Sequence, residues 1–321
     1  MTENTMFFRR FRTALTLLVT AALLGTCSPV EARAGLLDIL GIGGPKYELA
    51  EVPKDYTYEL GTDAPGTLEV RDDKAVIDYS NTSDGYVMVM YTADAQQQLR
   101  VQVKGPQETY TYIIVPHEWS AFPLSDGSGG YTVSIFEDIG GNRFALSLTA
   151  SFSAEISDEF APFLRPNQYV NYAEAPETVA LAFSITATTD DTLEMVRRVY
   201  EYVTKNLTYD RQLAATVKSG YLPDLDKVLE KKAGICFDYA SLMTGMLRSR
   251  GVPCKLVVGY AGTAYHAWIS VWVDGTGWID NAIYFDGTEW KRMDPTFASS
   301  GGREAEAYIG DGSNYTAKFF Y

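Results

Sequence analysis

The chain has 321 residues, a formal net charge of −14 at pH 7 and a hydrophobic fraction of 46%. This length predicts about two domains, and this composition is typical of a folded protein rather than a disordered one. An acidic surface repels nucleic-acid phosphates and anionic lipids, which excludes nucleic-acid binding. Of three cysteines and two histidines, Cys27 belongs to the predicted export segment. The remaining Cys236, Cys254 and two histidines lack the tight spacing of the four ligands of a structural zinc site, and two cysteines cannot form a disulfide scaffold. We therefore expect neither a metal site nor a cofactor.

Residues 1–34 are typical of an export signal, which is removed before the protein works. A basic start is followed by an apolar run of 12 residues from Ala14 to Gly25. This run is shorter than the ~20 residues of a membrane-spanning helix, although an uncleaved anchor stays open as an alternative. Ala32-Arg33-Ala34 offers the small residues of a cleavage site. We expect the protein to work outside the cytoplasm.

The segment Leu24-Gly25-Thr26-Cys27 resembles a bacterial lipobox, in which Cys27 would carry the lipid. Thr26 stands where Gly, Ala or Ser is usual. Soluble secretion and membrane attachment through a lipid on Cys27 therefore both remain open. Residues 35–46 are rich in glycine and are predicted to be a linker, because they could not bury a core.

Residues 47–156 show apolar residues with a period of two, which predicts β-strands. Turn-forming clusters such as Ser80–Gly85 and Ser125–Gly130 separate the candidate strands. Many short strands with closely spaced turns predict an all-β antiparallel sandwich domain. The candidate strands cover residues 75–79, 85–91, 99–103, 110–115, 130–136 and 143–149.

A connector is predicted over residues 157–189, where prolines, among them Pro176, favour an irregular chain. A catalytic domain is predicted over residues 190–321. Its helices come first and its strands afterwards, which is typical of an α+β domain. The predicted helices cover 191–206, a short stretch after 223 and 235–249, and the predicted strands cover 254–260, 266–273, 278–285 and 289–294.

Cys236 is the candidate nucleophile of this domain, because it falls in the first turn of a predicted helix, after Gly234. The unpaired amide groups of a helix N-terminus favour a thiolate, and they can also receive the oxyanion of an attacked carbonyl. The alternative is that Cys236 is a small buried apolar residue, as free cysteines usually are. Cys254 follows a Gly-Val-Pro turn and is assigned to packing.

His266 and Asp294 are the candidate base and orienting carboxylate. His266 begins a predicted strand and Asp294 ends the last one, where Pro295 prevents its continuation. The imidazole would deprotonate the thiol and later protonate the leaving group, and the carboxylate would fix the imidazole tautomer. Each residue also has a plain structural explanation, as a core histidine beside Trp268 and as a turn-capping aspartate.

Four motifs resemble the core of the transglutaminase-like superfamily, a group with a papain-related α+β fold and a Cys-His-Asp triad. They occur in order within residues 190–297, and three of them contain Cys236, His266 and Asp294. The motifs are Gly234-Ile235-Cys236-Phe237-Asp238-Tyr239-Ala240, Val257-Val258-Gly259-Tyr260, His266-Ala267-Trp268 and Met293-Asp294-Pro295-Thr296. The resemblance implies that Cys236 is the nucleophile, His266 the base and Asp294 the orienting residue. Tyr209 resembles a tyrosine that lines the site or donates to the oxyanion in such domains, and core packing is its alternative role.

The resemblance implies an exported bacterial enzyme that attacks a peptide or glutamine-type amide and forms a thioester. The thioester would then pass to water, as in a protease or amidase, or to an amine, as in cross-linking. We favour hydrolysis, because no acidic run around the triad would guide a lysine. The expected partner is a protein or peptide, and cell-wall peptide is one candidate. A non-catalytic surface module that keeps the fold is the alternative function.

Overall fold

The computed structural model describes residues 53, 61–141, 143–280, 283–285, 290–292 and 315–321. The predicted signal, Cys27 and the linker at 35–46 lie outside the described residues. So does Asp294.

Two four-stranded antiparallel sheets form the first half of the described chain. Their strand orders are β1-β2-β3-β6 and β5-β4-β7-β8. Where this region is described, each candidate strand is found, and two short strands, β1 and β6, were not predicted. The strands are β1 (Glu69–Arg71), β2 (Ala75–Asp78), β3 (Tyr86–Tyr91), β4 (Leu99–Lys104), β5 (Thr109–Ile114), β6 (Ser120–Pro123), β7 (Gly129–Asp138) and β8 (Phe144–Ala154).

The two sheets pack face to face through the inward side chains of alternating residues. Along β4, Leu99, Val101 and Val103 are buried and the residues between them are not. Tyr112 of β5 meets Phe122 of β6 across the sandwich, with ring centroids 4.5 Å apart. Alternation of this kind is what a half-buried strand needs. The fold class, an all-β domain followed by an α+β domain, is confirmed.

Among the described residues, five α-helices follow the sandwich: α1 (Pro176–Thr186), α2 (Thr192–Asn206), α3 (Arg211–Thr216), α4 (Leu225–Lys231) and α5 (Cys236–Arg248). The prediction that residues 157–189 are irregular throughout is wrong at α1. Pro176 occupies the start of that helix, where its missing N–H would have had no partner. The predicted cap of α2 is present, because the Asp191 carboxylate accepts the Glu194 N–H at 2.9 Å.

The described residues of the second half also form strands β9 to β16. They are β9 (Thr208–Tyr209), β10 (Ala233–Gly234), β11 (Cys254–Ala261), β12 (Ala264–Val273), β13 (Gly277–Ile279), β14 (Ile283–Phe285), β15 (Trp290–Arg292) and β16 (Tyr315–Phe320). β13-β12-β11-β16 form an antiparallel sheet, β14 pairs with β15, and β9 pairs with β10 in parallel. Helix α5 packs against β11 and β12.

One hydrophobic core runs from the sandwich into the helices and the β11–β12 sheet. Arg248 lies inside it with no exposed surface. Its guanidinium donates to the carbonyls of Cys254 at 2.8 Å, Arg165 at 2.7 Å and Tyr321 at 2.5 Å. Three segments distant in sequence are thereby joined. Within the described ranges, none of the helices is long and apolar enough to cross a membrane.

Candidate active site

Cys236 is the first residue of α5. Ile235 before it is extended, with φ −94° and ψ 177°, so the chain turns into the helix at the cysteine itself. The helix is held there by its apolar stripe, since Tyr239, Met243 and Met246 are fully buried. Cys236 is half-buried and its thiol is free. The sulfur thus lies at the N-terminal end of a long helix, where backbone N–H groups have no partner within the helix.

The turn that precedes Cys236 is closed by a buried carboxylate. Oδ2 of Asp238 accepts the Ile235 N–H at 2.8 Å, and Oδ1 accepts the Tyr221 hydroxyl at 2.7 Å. A Cβ on Gly234 would lie 2.6 Å from the Asp238 Cβ, so only glycine fits this turn. Burial raises the pKa of Asp238 above its usual value. The sequence analysis did not single out Asp238 or Tyr221, although a carboxylate three residues after the cap position is a known signal.

Tyr209 lies directly beside this turn. Strand β9 pairs in parallel with β10, and Tyr209 is the register partner of Gly234. The Asp210 N–H donates to the Gly234 carbonyl at 2.9 Å. Tyr209 therefore lies opposite Gly234, the residue two positions before Cys236, at the edge of the candidate site. Whether it donates to an oxyanion or serves packing stays a prediction.

His266 lies near the start of β12 and is 6% exposed. Its ring stacks with that of Trp268, with centroids 6.3 Å apart, and forms a T-shaped pair with the Tyr315 ring, with centroids 6.4 Å apart. Across the sheet His266 pairs with Gly259, where a Cβ would clash with the backbone carbonyl of Thr316. Strand β16, which the sequence analysis did not predict, thus supplies one wall around the histidine.

Tyr265 connects the two candidate residues. It precedes His266 on β12, and it lies close enough to the Cys236 sulfur to interact with it electrostatically. Its ring meets that of Tyr260 at 5.5 Å, and both side chains are exposed. Partial burial raises the pKa of Tyr265 above its usual value. The start of β12, with its exposed aromatic pair, therefore lies within electrostatic range of the start of α5.

The third candidate, Asp294, is outside the described residues, so its position relative to His266 stays a prediction. The described part of the chain contains no cluster of three or more histidine, cysteine, aspartate or glutamate side chains that could hold a metal ion. His117, the second histidine, is exposed and pairs with Asp94 at 3.0 Å on the sandwich. It lies on a different domain from the candidate site.

Cys254 is expected to resist alkylation in the native protein. Its side chain is fully buried on β11, its sulfur lies 3.6 Å from the Thr244 hydroxyl, and burial raises the pKa of its thiol to about 12. At pH 8 this thiol stays protonated and inaccessible, whereas only the thiolate reacts. Iodoacetamide followed by peptide mass spectrometry should modify Cys254 only after denaturation. Modification of Cys254 in the native protein as fast as a free thiol would contradict its assignment to the core.

The sequence of the second half matches a known family. Residues 179–295 match the family model described as the transglutaminase-like superfamily. A segment of 125 residues is 29% identical to the uncharacterised protein YebA of Bacillus subtilis strain 168. That alignment covers 32% of this chain and 17% of YebA. The chain therefore spans only a small part of this curated relative.

Two solved structures resemble the chain at low sequence identity. A proposed cysteine protease from Cytophaga hutchinsonii is 14% identical, with a TM-score of 0.34 over 66% of this chain and 71% of that one. The periplasmic domain of TgpA from Pseudomonas aeruginosa, bound to ethylmercury, is 17% identical. Its TM-score is also 0.34, over 66% of this chain and 94% of that one.

Proposed function

Residues 179–295 belong to the transglutaminase-like superfamily, and from this premise we propose that the protein is a cysteine acyl-transfer enzyme acting on peptide amides. The observation that carries the proposal is the position of Cys236. Its half-buried thiol begins α5, and this helix packs against β12, the strand that bears His266. A nucleophile at a helix N-terminus next to an imidazole-bearing strand is the arrangement that thiol catalysis needs.

The first half-reaction transfers the substrate acyl group to sulfur. His266 accepts the proton of the Cys236 thiol, and the sulfur attacks the carbonyl carbon of the amide. The carbonyl oxygen becomes an oxyanion, which free N–H groups at the start of α5 are suited to receive. The C–N bond then breaks as the imidazolium returns its proton to the departing amine. The product is a thioester on Cys236, and the proton count balances.

The second half-reaction decides the activity, and we propose hydrolysis. Water gives one proton to His266 and attacks the thioester, so that the acid leaves and the thiol takes the proton back. Transfer to an amine is the other outcome. Asp294 is the proposed orienting carboxylate for His266. Its role here is to keep the imidazole in the tautomer that can accept the thiol proton.

The proposed place of action is outside the cytoplasm. The basic start, the short apolar run and the small residues at 32–34 support an export signal. Protein or peptide is therefore the proposed substrate class, including cell-wall peptide. Both soluble secretion and attachment through a lipid on Cys27 are compatible with this proposal.

The reactivity of Cys236 tests the proposal without a known substrate. An ordinary thiol is only a few per cent ionised at pH 7, so an activated thiolate should react with iodoacetamide ~10-fold faster than free cysteine. His266→Ala should slow alkylation of Cys236 to about the rate of free cysteine. The rate is measured at the Cys236 peptide by mass spectrometry.

His117→Ala is the matched control, because it removes the second histidine from an exposed position on the sandwich. This variant should alkylate at the wild-type rate. The proposal would be wrong if wild-type Cys236 reacted no faster than free cysteine and His266→Ala left that rate unchanged.

A further inference from the structure

We propose that strand β5 of the sandwich positions the nucleophile, by bracing Phe237 and Asp238, the residues that follow Cys236, through Tyr169 and Tyr221. This inference rests on the proposed function. It assigns a role to the sandwich, which carries no chemistry in its own sequence.

The first brace reaches Asp238. Both carboxylate oxygens of this fully buried side chain are used, Oδ2 by the Ile235 N–H at 2.8 Å and Oδ1 by the Tyr221 hydroxyl at 2.7 Å. The first bond fixes the turn before Cys236, and the second fixes the rotation of the carboxylate. Without the tyrosine, the carboxylate would lose a donor inside the protein, where an unpaired oxygen is costly. Tyr221 therefore helps to hold the entry to α5.

Tyr221 is in turn placed by the sandwich. The residue before it, Gly220, has φ +87°, and a Cβ there would lie 2.7 Å from Cδ1 of Ile113. The backbone at Gly220 therefore lies closer to Ile113 of β5 than a residue with a side chain would allow. This contact lies at the surface, between the exposed Gly220 and the half-buried Ile113 side chain, and it sets the distance of the segment from β5.

The second brace reaches Phe237. The Tyr169 ring lies against Phe237, with centroids 5.4 Å apart, and the Tyr169 hydroxyl donates to the Thr111 carbonyl at 3.1 Å. The neighbouring Gln168 side chain bonds both backbone groups of Ile113, at 3.1 and 2.5 Å. Residues 111–113 of β5 therefore hold both intermediaries. The two braces arrive at consecutive residues after Cys236.

Position matters at this site because a displacement of about 1 Å can lower the rate about 100-fold. Both braces act on the backbone that carries the sulfur and on the amides proposed to receive the oxyanion. Tyr221 and Tyr169 are positioning residues, since they act through Asp238 and Phe237. Their loss should slow the chemical step while substrate binding changes little.

The test compares two chemically identical substitutions. Tyr221→Phe removes the hydroxyl that holds Asp238. Tyr110→Phe removes a hydroxyl that donates to Asp126 Oδ1, also at 2.7 Å, and Tyr110 lies on the same strand β5. Its ring contacts are with Phe319 and Tyr321 rather than with the start of α5. Thermal unfolding of both variants shows whether their stability losses are comparable.

Tyr221→Phe should lower the alkylation rate of Cys236 and the kcat for peptide hydrolysis about 10-fold, with KM within about two-fold of wild type. Tyr110→Phe should leave the alkylation rate and kcat within about two-fold of wild type. Asp238→Asn should retain more reactivity than Asp238→Ala, because the amide oxygen can still accept the Ile235 N–H. Equal alkylation rates in Tyr221→Phe and Tyr110→Phe would overturn the proposal.

Ile113→Ala is the second variant, and it changes β5 itself without touching the helix. It should slow alkylation several-fold, and a wild-type rate in this folded variant would also overturn the proposal. The experiment distinguishes failure of the proposed function from failure of the brace. If the proposed function is wrong, Cys236 of the wild type is alkylated no faster than a free thiol. If only the brace is wrong, Cys236 is alkylated rapidly, and at the same rate, in the wild type and in all the variants.

Discussion

Replacement of Cys236 by alanine is expected to lower the turnover of any peptide that the wild-type protein hydrolyses by at least about 10³-fold. The residues of a catalytic triad act together, so loss of the nucleophile removes the thioester route. Only the rate acceleration from substrate binding and oxyanion stabilisation remains. The helix should still form, because Tyr239, Met243 and Met246 hold its buried stripe. Purified variant and wild type are compared by product formation under identical conditions.

Cys254→Ala is the matched control, since it makes the same chemical change at a fully buried cysteine of β11. It should retain most of the wild-type kcat and lose only a modest amount of stability, about 1 kcal/mol, through the small cavity that it leaves. If Cys236→Ala hydrolysed peptide as fast as Cys254→Ala, Cys236 would not be the nucleophile.

Arg248→Ala is expected to lower the free energy of unfolding by about 4 kcal/mol or more. The change would take a donor from three buried carbonyls, of Cys254, Arg165 and Tyr321, and would also open a cavity. The Tyr321 carbonyl would keep the Leu256 N–H as a donor. An unpaired buried group costs about 1–3 kcal/mol. Because most domains are stable by only ~5–15 kcal/mol, the variant should unfold at a much lower urea concentration. Burial lowers the pKa of Arg248 to about 10. Because this value is still well above neutral pH, the guanidinium stays charged.

Two further variants separate geometry from charge in this prediction. Arg248→Lys keeps a cation but loses the planar fork, and it should still cost ~2 kcal/mol or more. Arg100→Ala removes a guanidinium that lies over the Phe144 ring at 4.0 Å on the sandwich, and it should cost less than about 1 kcal/mol. An Arg248→Ala protein within about 1 kcal/mol of wild type would show that these three hydrogen bonds do not hold the core together.

The strongly periodic elements could be predicted from the sequence. Strands β3 to β5 and helix α2 were found because their apolar spacing and the Asp191 cap are local signals. The short strands β1 and β6 carry too few residues to show a period. Helix α1 was not predicted because proline usually breaks a helix, whereas Pro176 stands at the helix start. Strand β16 is defined by pairing with β11, which is distant in sequence.

The candidate site was predicted in outline only. The start of α5 at Cys236 and the strand that bears His266 follow from turn residues and alternation. The Asp238–Tyr221 hydrogen bond joins residues 17 positions apart, and the electrostatic interaction of Tyr265 with Cys236 links β12 to the start of α5. No local pattern encodes such contacts. That Cys236, His266 and Asp294 act together as a catalytic triad remains a prediction.

The most direct measurement of the central claim is the mass of an acyl-enzyme trapped on Cys236. Wild-type protein is mixed with a peptide library and quenched in acid within one turnover, and the adduct is located by mass spectrometry. The account predicts a hydroxylamine-sensitive thioester on Cys236, which is absent from Cys236→Ala and retained in Cys254→Ala. Turnover of peptide with no adduct on Cys236, and undiminished turnover by Cys236→Ala, would contradict it.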